Sequence, residues 1–318
     1  MQQSESQQEI TQNQKSKEKQ IEVGAVEALA KIVEQNPELR LCGGSVPYIT
    51  MRGFQELESE GIRAGFSTRI GGVSDGCFAS MNLGFPEGSG ADIAEHTEKN
   101  YQMFCESLGV DPRYVSRLHQ VHGTEVKVVG LEDAGRGFSE DRPRYEVDAQ
   151  ITDQTGLALV ALAADCVPML FADPERHVVG SAHGGWRGSV HRIAEATVQR
   201  MAEVYGSDPA EIRVMIGPSA GPEDYEVDET VRQEVLACLP SRVVEDAKIL
   251  LPSGNVGHWL LNLWELNRQV LLEAGVKEEH IFVTGLSTLK YPEFFHSYRR
   301  TGGAAGRCVG MISLVPHA

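Results

Sequence analysis

Three short segments set reactive side chains into stretches that are otherwise apolar or glycine-rich. They are Leu118-His119-Gln120-Val121-His122-Gly123, Ala164-Asp165-Cys166-Val167-Pro168 and Ser181-Ala182-His183-Gly184-Gly185-Trp186-Arg187-Gly188. A thiolate with two neutral imidazoles suits zinc, and three protein ligands leave a fourth position open to water or substrate, as catalytic sites do. Cys166, His183 and a histidine of the first segment make such a set. His119 and His122 are three residues apart, but their neighbours read as irregular or extended, so His119 stands beside the ligands or faces solvent. Asp165 is a charge in the most apolar stretch of the chain, which demands a partner or a role; next to Cys166 it is a candidate acid or base. Other readings of the same residues stay open. A buried cysteine is often a small hydrophobe, and neither HExxH nor CxxC occurs. Cys166 and His183 could also be the nucleophile and base of a thiol hydrolase, or the remnant of a site in a metal-stabilised scaffold.

A second group of segments suits anions. Gly184-Gly185-Trp186-Arg187-Gly188 leads into a helix, and free N–H groups at a helix start attract negative charge. Ser67-Thr68-Arg69-Ile70-Gly71-Gly72 and Ser297-Tyr298-Arg299-Arg300-Thr301-Gly302-Gly303 join arginine to hydroxyls and glycines, which can hold a phosphate by charge-assisted hydrogen bonds. Each is also compatible with a tight turn beside a surface arginine. Neither GxGxxG nor GxxxxGK[ST] occurs, so dinucleotide-fold and P-loop readings lack support.

These segments need a scaffold. Residues 157–164, 167–172 and 178–182 read as buried strands, and further strands are expected at 212–216, 281–284 and 308–315. A helix is expected from Ser189 to Tyr205, with Ile193, Thr197, Met201 and Val204 on one face and Gly206 as its stop. Other helices are expected at 23–34, 92–108, 228–238 and 260–274. Several strands follow one another without an intervening helix, which makes the fold class α+β. Residues 1–21 are almost devoid of apolar side chains and are expected to be a disordered tail; residues 22–318 are read as a single domain, with one long surface loop ending near Arg144. The net charge of −16 over 318 residues argues against nucleic-acid polymers and anionic membranes as partners. No apolar run is long enough to span a bilayer. Six scattered cysteines and an N-terminus without an apolar signal segment fit a cytoplasmic protein with reduced thiols.

Taken in order, the motifs resemble the YfiH/YlmD-like family, also called laccase-domain or multicopper polyphenol oxidase-like proteins. They are GFSTRIGGVSDGCFASMNLG (65–84), HQVHGTEV (119–126), VDAQITD (147–153), ALAADCVPMLFAD (161–173), SAHGGWRGSV (181–190), IGPSAGPEDYEV (216–227) and FFHSYRRTGGAAGR (294–307). The resemblance implies a four-layer α/β/β/α fold of cysteine-hydrolase type, related in outline to a bacterial toxin deamidase. It implies zinc on His122, Cys166 and His183, and so selects His122 over His119. It also implies phosphorolysis of adenosine, inosine, guanosine or methylthioadenosine, with adenosine deamination besides. Phosphate and nucleoside contacts are then expected at Arg69, Ser80, Asn82, Arg187 and Arg300, with Cys166, His183 and Asp165 in catalysis. A monomer is expected. Alternatives attached to relatives are a thiol amidase acting on peptidoglycan precursors and a copper-dependent polyphenol oxidase. Copper oxidases use HxH pairs, and none occurs among the ten histidines. Gly184 stands where relatives usually have alanine, and Asp224 and Ser287 stand where cysteine is frequent.

Overall fold

The structure, a computed structural model, describes residues 23–85, 92–138 and 144–316. The expected N-terminal tail and residues 139–143 of the expected surface loop lie outside the described residues. Among the described residues, two six-stranded sheets and one three-stranded sheet carry the fold. The first sheet runs in the order Leu39–Cys42, Tyr48–Met51, Ile62–Ser67, Cys308–Leu314, Ala158–Ala163, Val115–Ser116. The second runs Ile281–Val283, Arg213–Ile216, Val167–Asp173, Val178–Gly184, Ala149–Thr152, Val126–Val128. Antiparallel pairs predominate, so the α+β class expected from uninterrupted strand succession is what the chain adopts.

The central strands are buried on both faces, which is why they read as unbroken apolar runs rather than alternating ones. Met169 and Phe171 point into a core shared with helices Ile193–Tyr205 and Leu263–Glu273. Leu170 and Ala172, on the opposite face of the same strand, join Phe66, Leu159 and Ile312 of the first sheet in a second core. On the far side of the first sheet, Val160 and Met311 pack on Tyr101 and Phe104 of helix Ala94–Leu108. Period-2 alternation thus assigns each strand residue to one of two cores.

The expected helix over 189–205 is two helices, Trp186–Val190 and Ile193–Tyr205, broken where Arg192 takes φ +68°. Arg192 bonds forward to Glu195 at 2.5 Å and across to Glu273 at 2.9 Å, which holds the break. Val204, expected on the inner face, is 38% exposed, while Ile193, Thr197 and Met201 are buried. Gly206 ends the helix at φ +69° as expected. No helix among the described residues is long and apolar enough to cross a membrane, and all six cysteines are free.

One buried histidine outside the three segments gives this fold a pH signature. His296 is 1% exposed, donates from Nε2 to the Met81 carbonyl at 3.2 Å, and packs against Gly306. Burial, and then the nearby Arg69 charge, lower its pKa from 6.5 to about 3. The unfolded chain therefore binds a proton below pH 6.5 that the native chain refuses until about pH 3, so stability falls as pH falls through that window. The loss is roughly 1.4 kcal/mol per pH unit. Urea unfolding at pH 7 and pH 5 is expected to differ by about 2 kcal/mol more in the wild type than in His296→Gln, whose amide cannot titrate. Equal differences in the two proteins would show that His296 is not buried neutral.

Candidate metal centre

Strand register brings the three segments to one end of the second sheet. In the antiparallel pair of Val167–Asp173 with Val178–Gly184, Val167 lies opposite Gly184, so Cys166, one residue earlier, lies beside the end of the partner strand that holds His183. Ala149 pairs with Ala182, and the backbone N–H of His183 donates to the Asp148 carbonyl at 2.8 Å. Val126–Val128 adds in parallel to Ala149–Thr152, which delivers the 121–123 turn to the same end.

There the ligand atoms of His122, Cys166 and His183 lie within 4.8 Å of one another. Cys166 Sγ is 3.9 Å from His122 Nε2, and the two imidazoles meet edge to face with centroids 4.9 Å apart. Tetrahedral zinc with ordinary Zn–S and Zn–N bonds would set that sulfur and nitrogen about 3.6 Å apart, a small contraction. A Cβ built on Gly185 would lie 2.6 Å from His122 Cδ2 and 3.2 Å from Cys166 Sγ, so the space among the ligands exists only because residue 185 has no side chain. His122 is exposed, Cys166 half-buried and His183 buried, a cup with one accessible side. The donor set and the cradle both fit a zinc-sized cation.

The electrostatics agree. Burial alone would raise the Cys166 thiol, yet His183, and His122 with it, hold it at about 6. Burial works against charge on His183 too, but the Cys166 thiolate and Asp148 raise it to about 9. Asp148 is held below the usual carboxylate range: burial opposes this, while the His183 ring and the N–H groups of Gly123 and Val121 outweigh it. The Cys166 thiolate and a positive charge on His183 thus favour one another, and a cation bound there would take the place of a proton between them.

The cup opens into a cavity of about 1120 Å³. His119, Gln120, Asn82, Trp186, Tyr225, Tyr298 and Phe85 line it, together with Arg117, Arg144, Arg299 and Arg307. Against the −16 charge of the chain, such a wall is suited to concentrating a small anion. Arg299 stacks on the Tyr225 ring at 4.4 Å and donates to the Glu226 carbonyl. Burial, and next the charge of Cys166, push the Tyr225 phenol up to about 12, so it remains a hydrogen-bond donor at neutral pH.

Of the expected anion contacts, only Asn82 lines this cavity. The Arg69 guanidinium donates to the carbonyls of Ala79 and Pro292, which makes it a brace between two loops. Ser80 donates to the Arg69 carbonyl. Arg187 is exposed and stacks on Trp186 at 4.3 Å, and Arg300 is exposed and donates to the Leu289 carbonyl. The neighbour of Arg300, Arg299, is the one that reaches the cavity. Asp165 lines the cavity at φ +92°, but its carboxylate already accepts from Thr288 Oγ1 at 2.6 Å and from the Arg299 N–H at 2.7 Å. Those bonds tie it to the segment that carries Arg299. Asp148 and Tyr225 were inside quoted motifs, but local sequence gives neither a role.

Residues 63–315 match the family described as multi-copper polyphenol oxidoreductase laccase. The chain belongs to that family. It is 34% identical over 255 residues to the purine nucleoside phosphorylase YlmD of Bacillus subtilis (strain 168), covering 80% of this chain and 88% of that one. It is 36% identical over 250 residues to a purine nucleoside phosphorylase of Deinococcus radiodurans, covering 78% and 88%. Among solved structures, YfiH of Bacillus licheniformis superimposes with a TM-score of 0.78 at 33% identity, over 88% of this chain and 99% of that one. YlmD from Geobacillus stearothermophilus gives 0.76 at 32%, over 85% and 96%. The YfiH/YlmD resemblance seen in the motifs therefore extends across nearly the whole fold.

Proposed function

We propose that the chain is a zinc-dependent purine nucleoside phosphorylase, converting adenosine, inosine, guanosine or methylthioadenosine and phosphate to base and ribose 1-phosphate, with adenosine deamination at the same site. The observation that carries this is the accessible side of His122, Cys166 and His183, which opens into an arginine-lined, aromatic-lined cavity. Its volume of about 1120 Å³ suffices for a nucleoside and a phosphate together. The names of the similar proteins from Bacillus and Deinococcus support the same reading. The layered helix–sheet–sheet–helix arrangement implied by the resemblance is supported by the three cores between and outside the sheets.

In phosphorolysis a phosphate oxygen forms a bond to ribose C1′ as the C1′–N9 bond breaks and its electron pair leaves with the purine. Arg299 and Arg307 supply positive charge for the attacking phosphate. Phe85, Trp186 and Tyr298 offer faces on which the base stacks. The Tyr225 phenol holds a proton at Oη, from which it can hydrogen-bond the departing base. Zinc bound by the three ligands would supply a Lewis-acidic charge at the cavity floor. Copper is the alternative ion, and the family description is what supports it.

A second reading has an observation of its own. Cys166, His183 and Asp148 have the order of a nucleophile, base and orienting carboxylate, which suits a thiol amidase. His122 stands outside such a triad, acting only on the charge of the thiol, whereas the metal reading uses it as a ligand. Incubation with inosine, with and without inorganic phosphate, separates the readings. Hypoxanthine and ribose 1-phosphate are expected in equal amounts and only with phosphate present; base released equally well without phosphate would overturn the phosphorylase reading.

A further inference from the structure

We infer that Asp148 is the positioning residue of the centre, a single carboxylate that fixes both the tautomer of His183 and the turn carrying His122. The inference rests on the metal reading above. Asp148 is 1% exposed and sits between two of the three ligands. Its Oδ1 accepts from His183 Nδ1 at 2.8 Å and from the His122 backbone N–H at 2.9 Å. Its Oδ2 accepts from the N–H groups of Val121 at 3.0 Å and Gly123 at 2.7 Å.

Two consequences follow from donor and acceptor chemistry. A carboxylate only accepts, so His183 must carry its proton on Nδ1, which leaves the Nε2 lone pair toward Cys166 and His122. The second concerns His122, which has φ +62°, a left-handed conformation that a non-glycine residue holds only when its surroundings impose it. Three consecutive N–H groups, those of Val121, His122 and Gly123, converge on the one carboxylate and impose it. The main chain adds a further tie, because the His183 N–H donates to the Asp148 carbonyl at 2.8 Å. Two ligands that are 61 residues apart are thereby held by one buried side chain. Asp165, the other acid lining the cavity, directs its carboxylate instead to Thr288 and the Arg299 N–H.

Asp148→Asn tests the assignment. Asparagine keeps the shape, but whichever way it is turned its NH2 group faces two of the four donors. Zinc affinity, measured by competition with a chromophoric chelator, is expected to fall about 10- to 100-fold. The visible bands of the cobalt-substituted variant should shift relative to wild type, which a loss of stability alone would not cause. In zinc-loaded wild type labelled with 15N-histidine, His183 should be protonated at Nδ1 and not at Nε2. Unchanged zinc affinity and cobalt bands in the variant, or a proton on His183 Nε2 in the wild type, would overturn the inference. Should Asp148→Asn not fold, the tautomer measurement decides alone. Failure of the wild type to bind zinc would instead overturn the metal reading.

Discussion

Cys166→Ser is expected to lose zinc on purification and to release base from inosine roughly a thousandfold more slowly than wild type, while remaining folded. Serine matches the thiol closely in size but is a far poorer ligand at neutral pH. The wild-type thiol is prepared for the role, since His183 and His122 hold it at about 6 despite its burial. The strand beginning at Val167 is buried along its whole length, so this one-atom change leaves the scaffold nearly untouched. Metal content by emission spectroscopy, with circular dichroism as the control for folding, checks the expectation. A variant that keeps stoichiometric zinc but loses turnover would point to the thiol-hydrolase reading, in which sulfur attacks substrate instead of holding an ion.

Gly185→Ala should be nearly as damaging, although it adds only a methyl group and removes no proposed ligand atom. The backbone there has φ −67° and ψ 167°, which alanine adopts without strain. The effect is therefore steric and local. The new Cβ would lie 2.6 Å from His122 Cδ2 and 3.2 Å from Cys166 Sγ, so the imidazole must swing away from the sulfur. Zinc affinity is expected to fall about 100-fold or more, with turnover falling in parallel, while unfolding free energy changes by about 1 kcal/mol or less. Isothermal titration with zinc, beside urea unfolding of the metal-free protein, separates the two quantities. Wild-type zinc affinity in Gly185→Ala would mean that the ion, if bound, lies elsewhere.

Which parts of this molecule could be read from its sequence follows from where the determining contacts lie. Strands Ala158–Ala163, Val167–Asp173 and Val178–Gly184 are legible because burial on both faces makes them mostly apolar, so the reactive residues Asp165, Cys166 and His183 stand out. Strands Leu39–Cys42, Tyr48–Met51 and Ala149–Thr152 were missed. They are four residues each, too short for a period to declare itself. The break at Arg192 was hidden because its partner Glu273 is on another helix.

The ligand trio shows the same division. Residue types suggested a metal, but choosing His122 over His119 needed the resemblance, because the turn that aims His122 is set by Asp148, 26 residues away. Arg69 and Arg300 carry the right chemistry for phosphate but lie outside the cavity lining. Carbonyls of Ala79, Pro292 and Leu289 claim their guanidinium groups, and no local pattern marks a carbonyl as an arginine's destination. Asp165 was read correctly as a buried charge in need of partners. Those partners, Thr288 and the Arg299 N–H, lie more than 120 residues away, and they tie Asp165 to the segment that carries Arg299.

The most direct test of the central claim strips the wild-type enzyme with a chelator and follows inosine phosphorolysis as zinc is returned. Turnover is expected to vanish in the metal-free protein and to recover in proportion to zinc, reaching full activity near one equivalent bound by His122, Cys166 and His183. Full phosphate-dependent turnover by the metal-free protein would contradict it.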